Sequence, residues 1–127
     1  LEEKPDPLDY KIKTCSIDEA LPNNDRRYIS SEKSFYQEVS FFNDASTNKN
    51  TCLVLDDYLH ACTSFRSHYH EMFVHYPASY LKNVNRVIYI GGGDNMILHE
   101  ILKYPNLELV IGMELDQLVV RNSFKNL

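Results

Sequence analysis

Residues 87–94 read VIYIGGGD, and this stretch decides the fold of the chain. Val87–Ile90 is a continuous apolar run, which is typical of a strand buried on both faces of a parallel sheet. Three glycines end the strand, and Asn95–Lys103 then has the apolar spacing of a helix. Leu107–Met113 predicts a second buried strand, and Asp116–Lys125 predicts a second helix. Strand, helix, strand and helix in this order open a doubly wound α/β sheet.

Upstream of this unit the sequence predicts a small antiparallel β-meander of three strands. Phe35–Phe42 is rich in aromatic and β-branched residues, which suits a strand. The small polar residues of Asn43–Asn50 are typical of a hairpin loop. Cys52–Leu55 is the returning strand, the pair Asp56-Asp57 forms a turn, and Tyr58–Ala61 is the third strand.

These elements divide the chain into three parts. Residues 1–28 are polar and broken by three prolines, which indicates a leader or linker with one short strand near Tyr10–Thr14. Residues 29–66 form a small β domain. Residues 67–127 form the start of the α/β domain.

The α/β part is expected to begin with a helix that carries an aromatic stripe. Apolar residues recur at three- and four-residue spacing, which predicts a helix over Ser67–Val74 followed by a looser turn to Leu81. Core packing is the expected role of Phe73, Tyr76 and Tyr80.

Composition excludes several classes of function. A net charge of −5 with scattered basic residues disfavours a nucleic-acid surface, and no stretch approaches the length of a membrane span. Cys15, Cys52 and Cys62 are odd in number and form no CxxC pair, so neither a disulfide framework nor a zinc site is expected, and a reducing, cytoplasmic setting is favoured. His68 and His70 would point to different faces of a helix, so no metal is expected.

The glycine loop and a later acidic residue indicate a nucleoside site. Glycines let a ligand approach the backbone, and the helix that follows presents free N–H groups. Glu114 follows Gly91 by 23 residues, close to the spacing of about 20 at which a carboxylate accepts bonds from ribose hydroxyls. The alternative is a glycine turn with a purely structural role.

Asp94 argues for a ligand that is cationic at the head of the helix. A dinucleotide fold would have a third glycine where this chain has Met96, and phosphates would be repelled by an adjacent anion. Asp94 would also repel the carboxylate of S-adenosylmethionine and favour the decarboxylated form, whose aminopropyl arm ends in an ammonium. The alternative is that Asp94 only caps the helix.

Four motifs in this order resemble the spermidine and spermine synthases: SFYQEV at 34–39, LVLD at 53–56, YHEM at 69–72 and IGGGD at 90–94. The resemblance covers roughly residues 28–127. It implies a small amino-terminal β domain followed by a Rossmann-like sheet of the methyltransferase type. It also implies transfer of an aminopropyl group from decarboxylated S-adenosylmethionine, a co-substrate, to putrescine or another polyamine, with no cofactor or metal.

The resemblance assigns site residues in two groups. Gln37 would contact the thioadenosine, Glu114 the ribose hydroxyls and Leu115 the adenine. Asp94 would bind the amino group of the donor or product. The donor-binding residues are therefore Gln37, Gly91, Gly92, Asp94, Glu114 and Leu115, and the polyamine-binding residues are Tyr69, His70 and Asp94.

Structural alternatives accompany these roles. Tyr36 and Tyr69 could simply pack, Gln37 could be an exposed strand residue, and His70 a surface histidine. The family is commonly dimeric or tetrameric, so a homo-oligomer that binds polyamine and thioadenosine ligands is implied. A methyltransferase-like enzyme that uses ordinary S-adenosylmethionine, and a non-catalytic relative that binds nucleoside or polyamine, are the competing functions.

The chain departs from the family pattern in three places. Asn95 and Met96 stand where the family usually has glycines, so larger side chains could crowd the pocket. Thr63–Arg66 stands where an acidic pair is usual, which weakens the case for spermidine as the product. The catalytic aspartate of the family is expected beyond Leu127, so no catalytic residue is assigned and the isolated chain is expected to be inactive.

Overall fold

Residues 26–45 and 49–127 are described by the structure, a computed structural model. They confirm the predicted α/β fold class, with an antiparallel sheet followed by parallel strands and helices. The predicted strand near Tyr10–Thr14 lies outside the described residues.

The antiparallel sheet has four strands, where the sequence predicted three. They are β1 (Arg26–Lys33), β2 (Glu38–Asp44), β3 (Thr51–Leu55) and β4 (Tyr58–Cys62), and they pair in sequence order. β1 is the strand that the prediction missed. It lies at an edge, pairs only with β2, and contains mainly polar residues that stay exposed or half-buried, so it carries no apolar signal.

The connection between β1 and β2 is a tight turn, and the prediction that Phe35 to Gln37 extend the strand is wrong. The Ser34 hydroxyl accepts hydrogen bonds from the backbone N–H groups of Tyr36 and Gln37, each at 3.0 Å. Such local bonds compete successfully with the strand preference of aromatic residues. As a result Phe35 is 95% exposed.

β3 and β4 form a hairpin that a disulfide closes. Asp56 and Asp57 both have positive φ, 47° and 67°, which confirms the predicted turn and suits a two-residue hairpin connection. Cys52 and Cys62 are direct partners across the hairpin and are disulfide-bonded. The expectation of no disulfide is therefore wrong. Antiparallel pairing brought together two cysteines that are 10 residues apart, a separation without a CxxC signal.

Three short helical segments follow the meander in place of the single predicted helix. Thr63–Phe65 is a 3₁₀ turn, Ser67–Glu71 is a π-helical turn, and α1 spans Met72–Ala78. Pro77 lies in the last turn of α1, where the helix is about to end. His70 is buried and His68 is exposed, as expected for residues two apart.

The predicted core role of the aromatic stripe is wrong within the described residues. Phe73, Tyr76 and Tyr80 are all more than half exposed. Instead of entering a core, they contact aromatic neighbours four residues away: Phe73 stacks on Tyr69, and Tyr76 packs edge-on against Tyr80. Helical spacing identified the shared face but could not say what covers it.

The carboxyl-terminal half contains the predicted strand–helix–strand–helix unit. Its elements are β5 (Arg86–Ile90), α2 (Met96–Ile101), β6 (Leu109–Met113) and α3 (Gln117–Asn126). β5 and β6 pair in parallel, as expected for a doubly wound sheet.

The main hydrophobic core lies between the meander and helices α2 and α3. Its buried residues are Val39, Phe41, Leu53, Ala61, Met96 and Val119. The prediction that both faces of the parallel strands are buried is wrong for the described residues, because Ile88 is 66% exposed and Ile90 is 83% exposed. Exposure alternates along β5, so one face of the strand is covered and the other is open.

Candidate functional site: a carboxylate-lined cavity beside the glycine loop

A cavity of about 630 Å³ lies between the meander and the carboxyl ends of β5 and β6. Such crevices are where open α/β sheets bind ligands. The structure brings together here five of the residues predicted for the site, namely Gln37, Tyr69, Gly92, Asp94 and Glu114.

The other predicted residues lie around this cavity rather than on its wall. Gly91 lines a neighbouring cavity of about 300 Å³, which Glu114 and Gly92 also line. His70 is buried, and its Nε2 lies 3.4 Å from Oδ2 of Asp94. Leu115 is 70% exposed and is not among the residues that line the main cavity.

The glycine loop has a conformation that its sequence explains. Gly91 and Gly92 have φ values of 78° and 72°, in the left-handed region that favours glycine. At Gly93 a Cβ atom would lie 2.7 Å from Cγ of Glu114, so any side chain there would require the Glu114 side chain to move. The Gly93 N–H instead donates to Glu114 Oε2 at 3.0 Å, so the loop and the tip of β6 are joined directly.

The Glu114 carboxylate retains capacity for a ligand. Its Oε1 accepts the backbone N–H of Asp116 at 3.0 Å, and its Oε2 accepts that of Gly93. Each carboxylate oxygen can accept two hydrogen bonds, so one acceptor position remains on each. A pair of adjacent hydroxyl groups is a ligand that would match this arrangement.

Asp94 uses its two oxygens differently. Oδ1 accepts the N–H of Met96 at 2.8 Å, which satisfies one of the free donors at the start of α2. Oδ2 lies 3.4 Å from Nε2 of His70, a side chain that is 3% exposed and therefore not a surface histidine. Asp94 is thus both a helix cap and a charged group facing the cavity. The other ring nitrogen of His70, Nδ1, is buried without a hydrogen-bond partner among the described residues.

The cavity is electrostatically negative. Tyr89 lines it, and the pKa of this phenol is raised, first by burial and then by the negative charges of Asp94 and Glu114. Among the described residues that line the cavity there is no lysine or arginine. Tyr69 adds an aromatic ring that is 59% exposed and stacked on Phe73. Two carboxylates and an aromatic face would each attract a cation.

Gln37 links the meander to the amino-terminal end of α3. Its Nε2 donates to Asp116 Oδ2 at 3.0 Å, and the Ser34 hydroxyl donates to the same oxygen at 2.7 Å. Asp116 also caps α3, as predicted, because its Oδ1 accepts the N–H of Leu118 at 3.0 Å. Burial raises the pKa of Asp116, but the bonds from Ser34, Gln37 and the backbone outweigh it and leave this pKa below its usual value.

Three residues at the site were missed by sequence reasoning. Tyr89 was hidden within an apolar strand, where alternation could have placed it on one face. His60 lines the cavity from β4 and gave no signal beyond being an exposed strand residue. Asp116 was recognised only as a helix cap, and its bond to Gln37 depends on packing between elements that are 79 residues apart.

The departures at Asn95 and Met96 do not crowd the main cavity. Asn95 has a φ of 65°, a left-handed conformation that asparagine tolerates, and its side chain donates to the carbonyl of Val120 at 3.4 Å. Met96 is buried in the hydrophobic core. Neither side chain lines the main cavity, so the larger residues are accommodated elsewhere.

Residues 26–45 and 49–127 contain no group of three or more His, Cys, Asp or Glu side chains that could hold a metal ion. Over the same residues, no helix has the length and apolar character needed to cross a membrane.

Comparison with known proteins identifies relatives of this chain. Residues 66–127 match the model of the spermine/spermidine synthase domain family. A polyamine aminopropyltransferase of Thermoanaerobacter sp. (strain X514) is 38% identical over 96 residues, which cover 76% of this chain and 34% of that protein. Putrescine N-methyltransferase 1 of Nicotiana tabacum is 38% identical over 93 residues, which cover 73% of this chain and 24% of that protein.

Solved structures give the same result. Spermidine synthase from Thermotoga maritima matches with a TM-score of 0.72 and 32% identity, covering 78% of this chain and 34% of that one. A spermidine synthase in complex with the transition-state analogue AdoDATO matches with the same TM-score and identity, covering 78% and 33%. The chain spans about a third of the length of the first curated relatives that it matches.

Proposed function

Because the chain belongs to the spermidine and spermine synthase family, we propose that the protein is a polyamine aminopropyltransferase. It would transfer the aminopropyl group of decarboxylated S-adenosylmethionine to putrescine or another polyamine. The observation that carries the proposal is the cavity in which Asp94 and Glu114 face a common space, with no lysine or arginine among the described residues of its wall. Both substrates are cations, and such a cavity favours cations.

The proposed reaction is a nucleophilic displacement. A neutral amine nitrogen of the acceptor attacks the aminopropyl carbon that is bonded to the sulfonium sulfur. The new C–N bond forms as the C–S bond breaks, and the sulfur keeps the bonding electrons and leaves as methylthioadenosine. A free alkyl amine resembles lysine, with a pKa near about 10.4, so a base must remove its proton. We assign no such base among the described residues.

The proposed ligand contacts follow the geometry of the cavity. Glu114 would accept the two ribose hydroxyls at its remaining acceptor positions, and the backbone of Gly91 and Gly92 would let the nucleoside approach. Asp94 would bind the ammonium of the aminopropyl arm, through the oxygen that faces His70. The contact of Leu115 with adenine stays a prediction, since this side chain lies outside the main cavity.

The amine half of the site would be formed by the π-helical turn. Tyr69 presents an exposed ring to the cavity, and His70 lies behind Asp94. A cation held over the tyrosine ring and beside the Asp94 carboxylate is stabilised by both groups. Gln37 would contact the thioadenosine from the opposite side, where its bond to Asp116 fixes its amide.

Product analysis tests the proposal directly. The full-length protein, rather than the isolated chain, is purified and incubated with putrescine and either decarboxylated or ordinary S-adenosylmethionine, and the nucleoside products are separated by mass. Aminopropyl transfer releases methylthioadenosine, and methyl transfer releases S-adenosylhomocysteine. The proposal expects methylthioadenosine and spermidine from the decarboxylated donor. Binding of neither donor nor methylthioadenosine in calorimetry would contradict it.

Amine N-methylation is the second candidate function, and the similarity to a putrescine N-methyltransferase favours it. Asp94 speaks against it, because its carboxylate would face the carboxylate of ordinary S-adenosylmethionine. Formation of S-adenosylhomocysteine and N-methylputrescine in the same assay would establish this alternative instead.

A cytoplasmic location and a homo-oligomeric state are further parts of the proposal. The Cys52–Cys62 disulfide speaks against a cytoplasmic location, because the cytoplasm of most organisms keeps such cysteine pairs reduced. Thiol labelling after rapid denaturation of whole cells would show whether the pair is oxidised in the cell. Sedimentation analysis of the purified protein would show whether it is an oligomer.

A further inference from the structure

A fully buried carboxylate lies in α2, outside the main cavity. Glu100 has 0% exposure, and its Oε1 accepts a bond from Nε of Arg66 at 3.1 Å. Its Oε2 lies 3.0 Å from Nε2 of His75 and also accepts a bond from the Lys103 ammonium. The other ring nitrogen of His75 lies 2.8 Å from the hydroxyl of Tyr104. A buried charge persists only when it is paired in this way.

The partners of Glu100 lie on both sides of the segment that carries the proposed amine-binding residues. Arg66 immediately precedes the π-helical turn Ser67–Glu71, and His75 lies in α1, which immediately follows it. Tyr69 and His70 lie between these two attachment points. Glu100 therefore holds both ends of the segment against α2, the helix that Asp94 caps. Single π turns inside helices are frequent at functional sites.

Glu100 also determines where a positive charge is held. Arg66 and Asp94 both line a second cavity of about 250 Å³, separate from the main one. Asp94 lines both cavities and so lies between them. A guanidinium that lost its bond to Glu100 would find the Asp94 carboxylate in the same small space. Pairing there would neutralise the group proposed to bind the substrate ammonium.

We infer that Glu100 is a positioning residue for amine binding: it anchors the turn that carries Tyr69 and His70 and keeps the charge of Arg66 away from Asp94. The inference rests on the proposed function for the identity of the cationic ligand. It also accounts for Arg66, a cation in the segment where the family usually has an acidic pair. That charge is already compensated by Glu100 rather than directed to the substrate.

The test compares a charged ligand with a neutral one. Binding of putrescine, spermidine and methylthioadenosine is measured by calorimetry for wild-type protein and for Glu100→Gln. We expect the variant to lose amine affinity by about tenfold or more. The positive charge of Arg66 would no longer be compensated, and a unit charge near a binding site partly screened by water changes affinity by about this factor. Methylthioadenosine carries no charge and therefore has no net Coulomb interaction with Arg66, so its affinity should change by less than about twofold.

The double variant Glu100→Gln with Arg66→Gln identifies the cause. Removing the released guanidinium should restore most of the amine affinity, whereas a merely structural loss would become worse. Glu100→Asp keeps the charge but shortens the side chain, and it should still lower the ratio of amine to methylthioadenosine affinity. Glu100→Asp replaces Glu100→Gln as the test variant if Glu100→Gln does not fold. Glu108→Gln is the matched control, since its pair with Arg86 is mostly exposed.

The outcomes separate the inference from the proposed function. Equal losses of amine and methylthioadenosine affinity in the Glu100 variants, or no restoration in the double variant, would overturn the positioning role alone. A wild-type protein that binds neither amines nor methylthioadenosine would overturn the proposed function, and the inference with it.

Discussion

Replacement of Glu114 by alanine tests the proposed nucleoside half of the site through two quantities, ligand affinity and the free energy of unfolding. The proposed ligand would donate two ribose hydroxyls to this carboxylate, and each bond to a charged acceptor is worth about 1.5–3 kcal/mol. Since a change of about 1.4 kcal/mol is a factor of ten, loss of even one bond should weaken methylthioadenosine binding by about tenfold. Loss of both would weaken it by at least about a hundredfold.

The same change should also lower the free energy of unfolding. Glu114 accepts the N–H groups of Gly93 and Asp116, each at 3.0 Å, and alanine leaves both without an acceptor. Because the carboxylate is only half-buried, water can reach these groups, and the cost stays near the lower limit of about 1 kcal/mol each. The expected loss of stability is therefore about 2 kcal/mol. Glu114→Gln keeps one acceptor oxygen and should lose about half of that.

Calorimetric titration with methylthioadenosine and urea unfolding measure the two effects. Glu108→Ala is the matched control, because Glu108 immediately precedes β6, at the end of the strand opposite Glu114, and its ion pair with Arg86 is largely exposed. It should change neither quantity by much. Unchanged nucleoside affinity in a folded Glu114→Ala protein would refute the assignment of this residue to the site.

Three other measurements test separate features of the molecule. Asp94→Asn should weaken binding of decarboxylated S-adenosylmethionine and strengthen binding of the carboxylated form in competition titrations, and an unaltered affinity ratio would leave Asp94 as a helix cap only. Hydrogen bonds outweigh burial at Glu100 and Asp116 and lower the pKa of both carboxyl groups. Their ionised forms therefore stabilise the fold fully above the pKa values of the unfolded chain, about 4, and this stabilisation is lost as the pH falls below them. The free energy of unfolding should accordingly decrease with pH below about 4, and a flat profile would contradict this. Reduction of the Cys52–Cys62 disulfide releases a loop of about 10 residues, and chain entropy predicts a loss of about 3 kcal/mol in urea unfolding, whereas no loss would contradict a folded-state bond.

Local features of the site could be predicted because they depend on neighbours in the sequence. The glycine loop needs positive φ at Gly91 and Gly92, and only the residue type is required to suspect it. Glu114 directly follows the second predicted strand, and its spacing from the glycine loop is set by the lengths of one helix, one loop and that strand. Asp116 caps α3 with its own side chain, which is again a local interaction.

Two of the failed predictions concern what covers a surface. The aromatic stripe of Phe73, Tyr76 and Tyr80 has helical spacing, yet these residues are exposed in the described structure. Likewise Ile88 and Ile90 belong to an apolar run, but one face of their strand remains open. A periodic pattern shows which residues share a face, and burial of that face depends on the elements that pack against it.

The strand–helix–strand–helix order of the carboxyl-terminal half and the acidic character of the site were determined by the sequence alone, since both follow from residue type and short-range spacing. Only the tertiary structure decided which charges meet. Arg66 reaches Glu100 across 34 residues, and Gln37 reaches Asp116 across 79. The Cys52–Cys62 bond was likewise decided by the register of a hairpin. Such pairs form because packing brings distant segments to within a few ångströms, and no local pattern in a chain encodes that distance.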